Sequence, residues 1–240
     1  MQENISDLNK TARLAGILFA LRMATTGFSL QYVRNKLIDF DNVAGTANNI
    51  ITHTSLFRAG IISNIFSQMA FLFLGLALYS LFIGTNKKYA RLLLCAVMVT
   101  VAMTVVNTFS NWMALLILNN TEPGKLFAAD GQYNSAMLFL KLNNYGQAVI
   151  ELFWGFWLFP FGILIVKSGF IPRVLGILLM LGAFALPVNS LIYLLLPKYH
   201  FSIITLTAMI IAATGGIPTM LWLLIIGTRK NRPGPGLSFT

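Results

Sequence analysis

Six long apolar stretches with almost no charge run through residues 14–33, 60–84, 90–118, 144–166, 174–196 and 203–227. A bilayer core about 30 Å thick needs roughly 20 helical residues to cross it, and each stretch reaches that length. In lipid every backbone polar group must find its partner inside the segment, so such stretches become helices. The fold class that follows is all-α: a polytopic integral membrane bundle of about six transmembrane helices. The chain is 57% hydrophobic and 10% charged, outside the range of soluble domains. With 240 residues, six spans and their loops take up nearly everything. One membrane-embedded domain over residues 1–228 is expected, with residues 229–240, which contain Pro233-Gly-Pro-Gly, as a disordered basic tail.

A formal net charge of +10 would suggest nucleic acid in a soluble protein, but its distribution assigns it to topology. Cytoplasmic segments of membrane proteins retain Lys and Arg. With the N-terminus inside, the inner segments hold Lys10, Arg13, Lys87, Lys88, Arg91, Lys167, Arg173, Arg229, Lys230 and Arg232. The outer ones hold Arg34, Lys36, Arg58, Lys125, Lys141 and Lys198, ten against six. Both termini are thereby expected in the cytoplasm, with membrane lipids and not nucleic acid as surroundings. The first apolar run is too long for a signal peptide and Arg22 interrupts it, so it reads as a retained helix. Cys95 stands alone, which excludes an intrachain disulfide.

The inner links, Gly84 to Tyr89 and Lys167 to Arg173, are tight. The outer links at 34–59 and 119–143 are about 25 residues each, too long for plain turns. In the first, Asp41-Asn42 caps a short amphipathic helix with Val43, Ala44, Ala47, Ile50 and Ile51 on one face, expected on the outer membrane surface. In the second, Pro123-Gly124 and Asp130-Gly131 break the chain before a helix from Tyr133. Ala12, Gly16, Ala20 and Ala24 form a small-residue stripe suited to a closely approaching neighbour helix. Pro160, Pro187 and Pro218 interrupt the last three spans.

The polar exceptions inside the spans carry the functional reading. An ionised group in hydrocarbon costs at least ~2.5–3.5 kcal/mol, so Arg22 and Glu151 are expected to face protein or water. By depth, an Arg22–Glu151 pair is sterically allowed. Asn64 and Gln68 are one turn apart in span two, and Gln147 and Glu151 in span four. Thr100, Thr104, Asn107 and Asn111 share a face of span three, and Asn189, Thr205 and Thr207 sit near the outer ends of spans five and six. Most of these groups fall in the outer half of the bilayer. Two readings follow: a polar outward cavity, or interhelical hydrogen bonds that serve packing alone.

In the cavity reading Arg22 holds an anion, Glu151 balances it, and Asn64, Gln68, Asn107, Asn111 and Gln147 supply hydrogen bonds. His53, Arg58 and His200 would stand at the mouth. The ligand would be a small amphiphile or a lipid headgroup, bound or transported without chemistry. The alternative is a structural or accessory subunit packed against a protein partner or a second copy. An enzyme is not favoured: the chain lacks HExxH, Gly-x-Ser-x-Gly and paired aspartates within spans. Its two histidines, His53 and His200, are both outside the spans, so no cofactor and no metal site is expected.

Lys167-Ser-Gly-Phe-Ile-Pro-Arg-Val-Leu-Gly-Ile-Leu is the most distinctive string, preceded by Leu152-Phe-Trp-Gly-Phe-Trp-Leu-Phe-Pro160. With Thr11-Ala-Arg-Leu-Ala-Gly, the segment Ala47-Asn-Asn through Leu56-Phe-Arg58, and Leu221-Trp-Leu-Leu, it resembles the bacterial membrane family called domain of unknown function 4386, over about residues 8–228. The resemblance implies a multi-pass protein of the bacterial inner (plasma) membrane, and carries no established activity. One departure is visible: the family pattern has a Glu six residues before the last Trp, where this chain has Gly216.

Overall fold

The computed structural model of the chain describes residues 5–119, 131–196 and 202–228. All regular structure among them is helical. Helix α1 (Ile5–Thr26) runs without a break through a π-helical stretch, Gly27–Val33, into α2 (Arg34–Leu37). A short α3 (Val43–Thr52) follows, then four long helices: α4 (Thr54–Phe82), α5 (Lys87–Leu118), α6 (Gln132–Ser168) and α7 (Arg173–Leu195). The last is α8 (Ser202–Leu221), which ends in a second π-helical stretch, Trp222–Ile226. Six of these rods are long and apolar enough to cross a membrane, from Asp7–Leu37 to Ile203–Ile226. The chain is a multi-pass membrane protein of the expected class. His200, Tyr199 and the tail at 229–240 lie outside the described residues, as do Pro123-Gly124 and Asp130.

The helices pack in chain order, α1 on α4, α4 on α5, α5 on α6, α6 on α7 and α7 on α8. The circuit closes where α8 returns to α1, chiefly through Trp222–Ile226. Here the small-residue stripe matters: a Cβ on Gly16 would lie 2.5 Å from the backbone nitrogen of Leu224. Ala12 and Ala15 are fully buried beside it, whereas Ala24 further up is exposed. The stripe therefore grips α8 over its lower half only. Thr228 N–H donates to Asn9 Oδ1 at 2.8 Å, tying the start of α1 to the end of α8. This end of the bundle, with the start of α1, the end of the Trp222–Ile226 stretch and the two tight turns, is called the turn end. The opposite one, with residues 38–53, is the connection end.

Glycines also set the α6–α7–α8 spacing. A Cβ on Gly155 would meet the Ala183 carbonyl at 2.4 Å, one on Gly162 the Gly176 carbonyl at 2.5 Å, and one on Gly215 the Leu179 nitrogen at 2.7 Å. Lipid tails are as apolar as Leu, so close backbone approach, not exclusion from water, holds such helices together. Gly169 ends α6 in the left-handed region at φ 72°, and Pro172 stands at the N-cap of α7. Outward-facing Phe66, Val106, Phe109, Phe156 and Phe184 remain more than half exposed, as lipid-facing side chains do.

Helix α3 has the expected cap, with Asn42 Oδ1 accepting from Gly45 N–H at 2.8 Å. Its Ala47 and Ile50 are buried in one cluster with Leu37, Ile117, Met137 and Leu140. It covers the connection end of the bundle, lying against α5 and α6. Helix α6 starts at Gln132, one residue before the Tyr133 expected from sequence.

Candidate functional site

Because α1 and α8 are held together chiefly at the turn end, a cavity of about 730 Å³ lies between α1, α6, α7 and α8 above that contact. From α1 and its continuation through the π-helical stretch into α2 it is lined by Phe19, Arg22, Met23, Thr26, Leu30 and Arg34 among others, recurring every three or four residues as one helical face requires. From α6 come Gln147, Glu151, Trp154 and Leu158, again one face, and from α8 Thr205, Met209, Ala212 and Gly216. The volume falls in the range of sites for drug-sized or lipid-sized molecules.

The floor is aromatic. Phe71 and Trp157 meet edge-to-face at 5.1 Å, Phe19 and Trp157 at 6.3 Å, and Trp157 stacks on Phe161 at 5.9 Å. Beneath them Phe82 packs on Phe161 and Phe170, inside a core of Leu78, Leu93, Leu164 and Ile165. The core below the cavity is thus largely aromatic and aliphatic.

Arg22 lies on this floor. Its Cζ is 3.9 Å from the Phe71 ring centroid, 5.7 Å from that of Trp157 and 6.0 Å from that of Trp154. Such cation–π contacts stabilise a guanidinium without neutralising it. Arg22 Nε and Trp157 Nε1 are both buried with no hydrogen-bond acceptor among the described residues. Buried N–H groups are nearly always paired, so two orphans on residues that line one cavity need an account.

Glu151 lines the same cavity but does not pair with Arg22, since the one ion pair among the described residues is the exposed Lys10–Asp7 contact. One Glu151 carboxylate oxygen accepts from Asn189 Nδ2 at 3.4 Å, and Asn189 Oδ1 accepts from the Thr205 hydroxyl at 3.1 Å. Three helices thereby orient one carboxylate. The cation within electrostatic reach of it is Arg34.

Arg34 is the residue that the sequence reading placed in a loop. Its Nη2 donates to Asn144 Oδ1, and Asn144 Nδ2 donates to the Tyr193 hydroxyl at 2.6 Å. The π-helical stretch explains why it belongs to the site. In an unbroken α-helix Arg34 would point roughly 120° away from Arg22. Bonding from i to i+5 turns the helix less per residue, and over seven residues the lag is on the order of 90°. That returns Arg34 to the cavity face.

Of the residues expected to bind, Arg22, Glu151 and Gln147 meet at this cavity. Asn64, Gln68, Asn107 and Asn111 do not line it. Asn64 Nδ2 donates to the Thr108 hydroxyl and Asn64 Oδ1 accepts from Gln68 Nε2, both at 3.2 Å, along the α4–α5 seam. Asn107 and Asn143 exchange reciprocal amide-to-carbonyl bonds of 2.9 Å between α5 and α6. Asn111 and Asn143 border a separate void of about 30 Å³ beside Arg34. His53 is exposed at the end of α3, its Nδ1 at 3.2 Å from the Asn49 carbonyl, and Arg58 is exposed outside the cavity. The polar groups at the connection end of the cavity are instead Gln31, Arg34 and Asn35.

No group of His, Cys, Asp and Glu able to hold a metal occurs among the described residues. No curated protein and no solved structure matches the chain. A family model does match, over residues 14–227, which span every cavity-lining residue named above, and the chain belongs to that family, described as domain of unknown function (DUF4386).

Proposed function

We propose that this protein binds an amphiphile, or a lipid headgroup, by an anionic group seated on Arg22 and Trp157, in a cavity that opens towards the outside of a bacterial plasma membrane. The observation that carries the reading is the pair of buried, unpartnered donors, Arg22 Nε and Trp157 Nε1, on one cavity floor. An anion there would accept from both and offset a desolvated charge. Apolar walls from Leu30, Leu206 and Met209 suit the rest of an amphiphile. Gln147 and Glu151 add polar contacts above the floor, whereas Asn64, Gln68 and Asn107 serve the helix seams.

Mass spectrometry of molecules retained by the purified protein tests this, with Arg22→Ala and Trp157→Phe as controls. Trp157→Phe keeps a ring and removes only the donor. The expected result is an anionic amphiphile on the wild type, lost from both variants, with thermal midpoints shifted far less than occupancy. Equal loss of occupancy and stability favours a packing-only role, and a stoichiometric protein partner with no retained small molecule favours an accessory subunit.

A further inference from the structure

The cavity is not uniformly cationic, and the order of its charges along the membrane normal is informative. The Arg22 guanidinium lies against Trp154 and Trp157. Glu151 is three residues before Trp154 on α6, about 4.5 Å of helix rise nearer the connection end. Asn144, which holds Arg34, is a further seven residues up, about 10 Å. The lining therefore alternates from floor to connection end: cation at Arg22, anion at Glu151, cation at Arg34.

A ligand carrying negative charge alone would gain at Arg22 and be repelled by Glu151 one turn above. Yet Glu151 is built in: Asn189 and Thr205 fix its carboxylate from two other helices, while Arg22 stays unpaired to it. Among the described residues, only one of its oxygens accepts a hydrogen bond.

We infer that the ligand is a zwitterion, with its anionic group on Arg22 and Trp157 and an ammonium about one helical turn away on Glu151. This deepens the cavity reading and rests on it. A phosphate and an amine joined by a short carbon bridge have this form, whether as the headgroup of an aminophospholipid or as a free phosphoamine. Glu151 is then a specificity residue. It discriminates against purely anionic relatives by repulsion, which is how selectivity among similar ligands is commonly obtained.

The test uses the full-length protein in nanodiscs, with tryptophan fluorescence as readout because Trp154 and Trp157 flank the site. Three probes are titrated: dihexanoyl phosphatidylethanolamine, dihexanoyl phosphatidic acid and free phosphoethanolamine. The wild type is expected to prefer the zwitterionic lipid to phosphatidic acid by about tenfold, the scale of one desolvated charge contact. Glu151→Gln should weaken the zwitterion about tenfold and leave phosphatidic acid equal or tighter, so that the preference collapses or inverts. Binding of phosphoethanolamine as tight as that of the lipid assigns the ligand to a soluble source, and binding of the lipid alone to the bilayer. If Glu151→Gln tightens both lipids or changes neither, the zwitterion inference fails while the anion site stands. If the wild type binds none of the three, the cavity reading fails and this inference with it.

Discussion

Two glycines on the same bundle forecast opposite outcomes, because their missing side chains face different surroundings. Gly216 lines the cavity, and a Cβ there would have Phe19 Cζ as its nearest neighbour at 4.0 Å. Gly216→Glu is accordingly tolerated by the fold and sets a carboxylate into the space above Phe19, one turn from Arg22. It should weaken phosphate-bearing probes by about tenfold, through occupation of the guanidinium and like-charge repulsion, with little change in thermal midpoint. Fluorescence titration and a melt in the same detergent check both halves. Gly155 has no such room, with the Ala183 carbonyl at 2.4 Å and Pro187 Cγ at 2.7 Å from the would-be Cβ. Gly155→Ala has to push α7 away and should cost about 1–3 kcal/mol of stability, as overpacking does. Denaturant unfolding in mixed micelles measures it, and a cost near zero would mean that the two helices are not in that contact.

Helix α1 is where sequence and structure diverge, and the cause is its backbone. The apolar run ends at Val33, so a hydropathy reading stops the helix there and sends Arg34 into a loop. In the structure the π-helical stretch Gly27–Val33 prolongs the rod to Leu37 and rotates Arg34 back onto the Arg22 face. No residue pattern announces a change from i+4 to i+5 bonding, whereas the six spans, the Asn42 cap of α3 and the Gly169 stop of α6 are all legible from composition and spacing. The type and depth of polar residues in the spans single out Arg22, Glu151 and Gln147, and they line one cavity, whereas the change of helical register brings Arg34 to it. The amides of α4 and α5 show the converse limit: Asn64 and Asn107 look like site residues by type and depth, but their facing helices satisfy them. A π-helical stretch holds about one residue more than the α-helix it replaces. Removing Gly27 should therefore let α1 continue as ordinary helix with Arg34 still facing Asn144. Inserting Ala after Gly27 should turn Arg34 away by about 100°. The deletion is expected to melt within a few degrees of the wild type and the insertion well below it, and the reverse order would refute this account of the register.

At the scale of the whole molecule, charge and fold together predict which side of the membrane the cavity addresses. The bond between Thr228 and Asn9 puts both ends of the bundle on one side, and the tight turns after Phe82 and Ser168 lie there too. From the sequence, ten of the seventeen Lys and Arg residues are expected on that side against six on the other, and such an excess is retained in the cytoplasm. The cavity reaches the opposite, connection end through Gln31 and Asn35, which the charge rule predicts to face outward. Cysteine accessibility decides the matter, because Cys95 is the chain's one cysteine and Cys95→Ser gives a silent background. On intact cells a membrane-impermeant maleimide should label Arg58→Cys, exposed at the connection end, and spare Lys88→Cys at the turn end, with both labelled after lysis. The opposite pattern would turn the cavity towards the cytoplasm and require a cytoplasmic source for its ligand, while leaving the chemistry of Arg22, Trp157 and Glu151 as argued. Labelling of both positions on intact cells would mean that some copies insert each way, as the modest ten-to-six bias allows, and the cavity would then serve both leaflets.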